Sequence, residues 1–223
     1  LIESKASIDQ FRSLRDQNYQ SFDESTWNEM IEMGWTSLII PEEYNGLDFG
    51  YVGMGQVLEE MGRKLVKSPL VSSILFSATA LKYSDNDDLK INFFPKLMSG
   101  ETLIALAVDE KSYHDPDDIN TRATEENKCY KLNGKKTFVL NANFSDHLIV
   151  LAKTDSEEYG LFIVKSNTSG IIINNKILLD TSSYSEIILD DVSIPKEYRL
   201  DIKISGRELI KKILDISCIG LSA

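Results

Sequence analysis

Few side chains in this sequence could do chemistry unaided. His114 and His147 are its two histidines, and Asp115, Asp117, Asp118 and Asp146 stand beside them, residue types able to hold a divalent cation. No two of them share a ligand-like spacing on an expected helix or hairpin, so a solvated acidic loop is the better reading. Two histidines leave little scope for a Ser-His-Asp or Cys-His nucleophile, and none emerges. Gly50-Tyr51-Val52-Gly53-Met54-Gly55 imitates a phosphate-binding fingerprint, but no strand precedes it in a βαβ unit, and it is assigned to the start of a helix. Arg63, Lys64 and Lys67 cluster beyond a helix C-terminus, where they complement its dipole. Cys129 and Cys218 match no metal or redox spacing, and a reducing, cytoplasmic setting is the simpler expectation.

The elements that must position any site can be read from the period of the apolar residues. A chain of 223 residues makes one large domain or two small ones. A net charge of −11 opposes a nucleic-acid partner, which needs a basic face, although backbone N–H groups can still hold a small anion. No run approaches the roughly 18 apolar residues of a membrane span, and no cleavable signal is visible. The chain starts at Leu1 rather than Met, the expectation being a clipped N-terminus. Residues 216–223 are apolar and uncharged, which reads as a helix cut off in mid-course.

Up to about residue 100 the period is helical, with helices expected at 5–20, 25–33, 52–62, 70–82 and 86–98. Trp27, Met30 and Ile31 give one buried face, and Gly34 supplies a left-handed stop. Gly62 and Gly100 are assigned the same role, and Ser84 with Asp87 reads as a capping box. From Thr102 the period changes. Eight short segments, 103–108, 119–124, 130–132, 137–140, 147–152, 160–164, 170–173 and 185–189, are β-branched or aromatic and bounded by turn residues. Asn133-Gly134 signals a hairpin turn. Short strands without intervening helices predict an antiparallel sandwich or barrel. Ser205 with Glu208 reads as a second capping box, opening an amphipathic helix through Leu209, Ile210, Ile213 and Leu214. The fold class expected is multi-domain α+β: an all-α N-terminal domain (1–101), an antiparallel β-sandwich or barrel (102–200) and the start of a C-terminal helical domain (201–223).

Three stretches, in order, resemble acyl-CoA dehydrogenases. Residues 27–68 read WNEMIEMGWTSLIIPEEYNGLDFGYVGMGQVLEEMGRKLVKS. They are similar to the family segment in which a helix ends in Gly-Trp, a Pro-Glu-Glu-Tyr-Gly-Gly turn follows, and the next helix carries Glu-Glu-Met-Gly. This match identifies the fold rather than the chemistry. Residues 103–110, LIALAVDE, resemble the strand that runs into Thr-Glu-Pro-x-Ala-Gly-Ser-Asp. Here Asp109 replaces Thr, Lys111 replaces Pro, and the Gly-Ser-Asp portion is absent. Residues 130–154, YKLNGKKTFVLNANFSDHLIVLAKT, resemble Leu-Asn-Gly-x-Lys-x-Trp-Ile-Thr-Asn-Ala, with Phe138 at the Trp and Leu140 at the Thr. The opening helices, the Glu110…Tyr113…Ile119-x-Thr121-x-Ala123 run and residues 136–140 look like the pimeloyl-CoA dehydrogenase small-subunit group, whose relatives act on sterol side chains as two-subunit assemblies.

The resemblance implies an FAD-dependent α,β-dehydrogenation of an acyl-CoA thioester. A carboxylate takes the α-proton, the β-hydrogen leaves as hydride to flavin N5, and hydrogen bonds to the thioester oxygen stabilise the forming enolate. It implies a flavin wall made by Ala107, Val108 and Asp109 on one strand end and Phe138, Val139 and Leu140 on another. The alternative weighed for Phe138 is a plain core aromatic of the sandwich. The family's catalytic Glu is expected beyond Ala223, so no catalytic residue is nominated; Glu42, Glu43, Glu59 and Glu60 are assigned no role. Electron-transfer flavoprotein is the implied acceptor, in a homo- or hetero-oligomer without metal. Two rivals stay open: a non-catalytic subunit of a two-subunit dehydrogenase, which the loss of hydroxyls at 109 and 140 favours, and a flavin-free interaction module.

Overall fold

The computed structural model describes residues 8–16, 22–178 and 182–223. Helix α1 spans Ile8–Asp16, so the rest of the expected 5–20 helix lies outside the described residues. Helix α2 (Glu24–Glu32) starts where the Asp23 carboxylate accepts the Thr26 N–H at 2.7 Å, and ends before Gly34, whose φ of 77° only glycine adopts cheaply. Helix α3 runs Gly50–Arg63. Gly62 lies inside it rather than terminating it; Leu65 takes the left-handed conformation beyond. A π-helical segment, Leu70–Ala78, leads into α4 (Thr79–Tyr83), and α5 spans Asp87–Met98. Asn86 caps α5 by accepting the Leu89 N–H. Ser84 instead accepts the Asn86 N–H and donates to the Leu200 carbonyl, so the expected box is a tether between distant segments.

The strands are β1 (Ile104–Ala107), β2 (Arg122–Glu126), β3 (Cys129–Leu140), β4 (His147–Thr154), β5 (Tyr159–Lys165), β6 (Ile171–Ile177) and β7 (Ser183–Pro195), in one seven-stranded sheet. Helix α6 (Gly206–Leu221) follows, and Ser205 makes no side-chain cap bond. Two expectations are corrected. Residues 130–132 and 137–140 belong to one strand, and Asn133-Gly134 is a register shift within it rather than a hairpin turn. A Cβ on Gly134 would sit 2.4 Å from Thr121 Oγ1, so close approach explains the glycine. The β2–β3 turn is Asn127-Lys128, with Asn127 at φ 46°.

The sheet is mixed rather than wholly antiparallel. β1 pairs parallel with the start of β4 and β2 parallel with its end, so the two lie along the same edge of β4. The chain leaves that edge after β1, makes an excursion over 108–121 and rejoins it in the same direction, as a parallel pairing requires. The remaining pairings are antiparallel.

β4 explains how helices and sheet share two cores. Its central residues are buried on both faces, as expected of a near-continuous apolar run. Ile149 and Leu151 join Ile104, Leu106, Leu161 and Ile163 against the helices. Leu148, Val150 and Ala152 face the other way, into a core that the curled sheet builds with Leu132, Ile187 and Val192. The wide π turn aims serines at β1: Ser73 and Ser77 donate to the Ile104 carbonyl, and the Ile104 N–H returns to Ser73 Oγ at 3.1 Å. Asn141, just past β3, donates to Ser72 Oγ at 3.0 Å.

Candidate functional site

The excursion is closed at its base by Glu110. Its carboxylate accepts from the Asn120 and Thr121 N–H groups, from the Thr121 hydroxyl at 2.6 Å and from Lys136 Nζ at 2.9 Å. Lys136 has no exposed side-chain surface and also donates to the Val108 carbonyl at 2.9 Å. Burial pushes the ammonium down to about 8 against the pull of Glu110. Burial pushes the Glu110 carboxyl up, but the Lys136 charge and the Thr121 and Asn120 hydrogen bonds outweigh it and leave it below its usual range.

Above this clasp β3 is disrupted. The ladder with β7 skips between Lys136 and Val139, and the Thr137 N–H bonds to the Asp109 carbonyl at 2.7 Å. Phe138 is left at φ 52°, a sparsely populated conformation for an aromatic; the residue is 46% exposed, and its ring lies edge-on to Tyr184. Phe138 belongs to neither hydrophobic core of the described residues. A cleft of about 290 Å³ opens beside it, walled by Leu106, Val108, Leu140, Phe76 and Leu214 of α6. A second recess of about 250 Å³ lies against Phe138 and Tyr184, lined also by Ser185. Ser185 Oγ is buried and has no partner among the described residues. An apolar wall with an exposed aromatic and an orphaned hydroxyl nearby fits a planar, polar-edged ring system.

Of the six residues nominated from sequence, Val108, Asp109, Phe138 and Leu140 line the cleft. The side chains of Ala107 and Val139 are in the second core instead, because alternation along their strands turns them away. Asp109 is engaged by its own loop: it meets His114 Nδ1 at 2.9 Å and accepts the Asp115 N–H at 3.1 Å. Sequence reasoning missed Leu106, whose place two residues before Val108 in the apolar run 103–108 was the available signal. It also missed Tyr184, Phe76 and Leu214, which no local pattern marks. No cluster of three metal-ligating side chains occurs among the described residues. No described helix is long and apolar enough to cross a membrane.

Residues 5–101 match the family model of the acyl-CoA dehydrogenase N-terminal domain, and residues 106–192 match that of the middle domain. The chain belongs to the acyl-CoA dehydrogenase family. It is 29% identical over 205 residues to an acyl-CoA dehydrogenase of Bacillus subtilis, covering 87% of this chain and 54% of that protein. Among solved structures it resembles an acyl-CoA dehydrogenase complexed with FAD from Bacillus anthracis, at 25% identity and TM-score 0.83, covering 98% of this chain and 39% of that one. The ChsE4-ChsE5 complex from Mycobacterium tuberculosis shares the fold at TM-score 0.88 and 22% identity, covering 98% of this chain and 57% of that one. The chain thus spans about half the length of the acyl-CoA dehydrogenases it matches.

Proposed function

We propose that this protein takes part in FAD-dependent α,β-dehydrogenation of an acyl-CoA thioester. Residues 1–101 form the helical domain, 102–200 the β-domain and 201–223 the first part of a further helical domain. The observation that carries the reading is Phe138, exposed at a bulge beside an apolar cleft in a conformation that packing of its own ring does not explain. Leu106, Val108, Phe138 and Leu140 would hold the isoalloxazine, which supplies a hydride acceptor when bound. Lys136 and Glu110 hold the strand ends at the cleft, and the apolar wall would keep water from a bound ring. We assign the base to no residue of 1–223. An electron-transfer flavoprotein as acceptor, a homo- or hetero-oligomer and a cytoplasmic setting complete the proposal.

The test is the visible spectrum of purified protein, followed by anaerobic titration with acyl-CoA. Bound yellow chromophore is expected, and acyl-CoA should bleach it only when a helical domain bearing the base is present. Colourless protein that takes up no added FAD would overturn the assignment. A second reading, a partner subunit that keeps flavin without turning over substrate, is favoured by Asp109, whose carboxylate is tied to His114 where the family resemblance expects a hydroxyl. It predicts chromophore that acyl-CoA does not bleach even with that domain present.

Phe138→Ala separates cofactor wall from scaffold. The variant should leave the thermal melt of the FAD-free protein almost unchanged while weakening FAD retention by about 0.5–1.5 kcal/mol, the usual worth of aromatic stacking. Equal destabilisation of both forms in paired melts would contradict the flavin contact.

A further inference from the structure

At the other end of β1 from the flavin cleft, the starts of β1 and β4 and the end of β5 frame a larger cavity of about 620 Å³ against α5. Two ammonium groups line it, Lys96 from α5 and Lys165 from β5. In a chain of net charge −11, neither has an ion-pair partner among the described residues. Among the described residues the Lys96 ammonium meets the Asn92 amide oxygen at 2.9 Å and the Phe93 ring. The cavity's two carboxylates do not neutralise them. Asp146 is turned to the start of β1, accepting the Leu103 N–H at 2.8 Å and approached by the Thr102 hydroxyl. Glu101 lines the cavity without pairing with either lysine. The half-buried His147 shares the lining, its Nδ1 3.2 Å from Thr102 Oγ1 and its ring edge-on to Phe93. Burial first, then Lys165 and Lys96 against the opposing pull of Asp146, hold its imidazole below the usual range, so both ammoniums act on this space. Neutral hydrogen-bonding groups, among them Ser145 and Asn167, complete the lining.

We propose that this cavity is a binding site for a small phosphate-bearing molecule, its dianionic group held between Lys96 and Lys165 and its polar body by the surrounding hydroxyl and amide groups. Two ammoniums without ion-pair partners among the described residues line one polar cavity and match a dianion in charge. Phosphate accepts hydrogen bonds from lysine as a point charge without requiring a planar fork. The site shares no lining residue with the flavin cleft and stands independently of what binds there.

Isothermal titration of the full chain with inorganic phosphate tests it, with citrate as a tricarboxylate probe and sodium chloride at matched ionic strength as control. Saturable phosphate binding is expected, weakened about tenfold or more in Lys96→Gln and in Lys165→Gln, since a charge-assisted hydrogen bond is worth about 1.5–3 kcal/mol. Lys128→Gln, in the β2–β3 turn away from the cavity, should bind as wild type. Absence of saturable binding would overturn the proposal, as would binding indifferent to both cavity lysines. Citrate binding with phosphate silent would overturn the phosphate assignment. Both lysines keep solvent contact, so the variants should fold, and their thermal melts without phosphate check this.

Discussion

Glu110→Gln lowers the folding stability of this protein by about 3–5 kcal/mol, the range found when one partner of a buried ion pair is removed. The amide cannot neutralise Lys136, whose ammonium is wholly buried and whose other partner is only the Val108 carbonyl. It also replaces one of two acceptor oxygens by a donor, facing the Asn120 and Thr121 groups that now close the excursion. Denaturant melts measure the loss, and its pH dependence identifies the cause. The Glu110 carboxyl lies below its usual range in the folded protein, so its contribution is complete above about pH 4.5 and disappears as pH falls through the folded value. The deficit of the variant should therefore close in acid, where a protonated Glu110 resembles Gln. Lys136 acts at the other end. Its folded pKa of about 8 lies below the 10.5 of the unfolded chain, so the cost of burying its charge is present below about 8 and is relieved as pH rises from there to 10.5. Without Glu110 the depression deepens, and the deficit should also shrink as pH climbs toward about 8. A loss of similar size at every pH would mean that packing, not the charge pair, is responsible.

Gly134→Ala costs about 1–3 kcal/mol, the usual price of forcing a methyl group into a packed site. The added Cβ would lie 2.4 Å from Thr121 Oγ1 and 2.7 Å from Thr121 Cα, so backbone has to move. Thr121 is also the residue whose N–H and hydroxyl hold Glu110, so the two substitutions act on one structure. The double variant should lose less than the sum of the single ones by at least about 0.5 kcal/mol, as expected of coupled neighbours. Strict additivity in a double-mutant cycle would separate the glycine from the clasp. A hairpin role for Asn133-Gly134 predicts loosening of a turn; the clasp predicts faster amide exchange at residues 120 and 121.

The order of helices, strands and a last helix was legible in the sequence because apolar period is a local property: 3.6 residues through Trp27, Met30 and Ile31, and short β-branched runs from residue 103 onward. Motif order in residues 27–68, 103–110 and 130–154 was enough to name the family, and the stretches quoted for the flavin wall do meet at one cleft. Local patterns failed wherever two chemistries share one signal. Asn-Gly marks a hairpin turn or a strand that must pass close to another, and Thr121, thirteen positions upstream of Gly134, decided which. Ser84 and Ser205 carried capping spacings, yet Ser84 was taken by the Leu200 carbonyl and Ser205 by nothing. The parallel edge of β4 was hidden because β1 and β2 look like separate short strands until the excursion between them closes on Glu110. Which of six nominated residues face the cleft depended on a bulge at Phe138, and the bulge depends on a β7 partner some fifty residues away. Periodicity reports which residues want to be buried; only the folded chain decides against what, because pairing partners are chosen by contacts between segments that no local window contains.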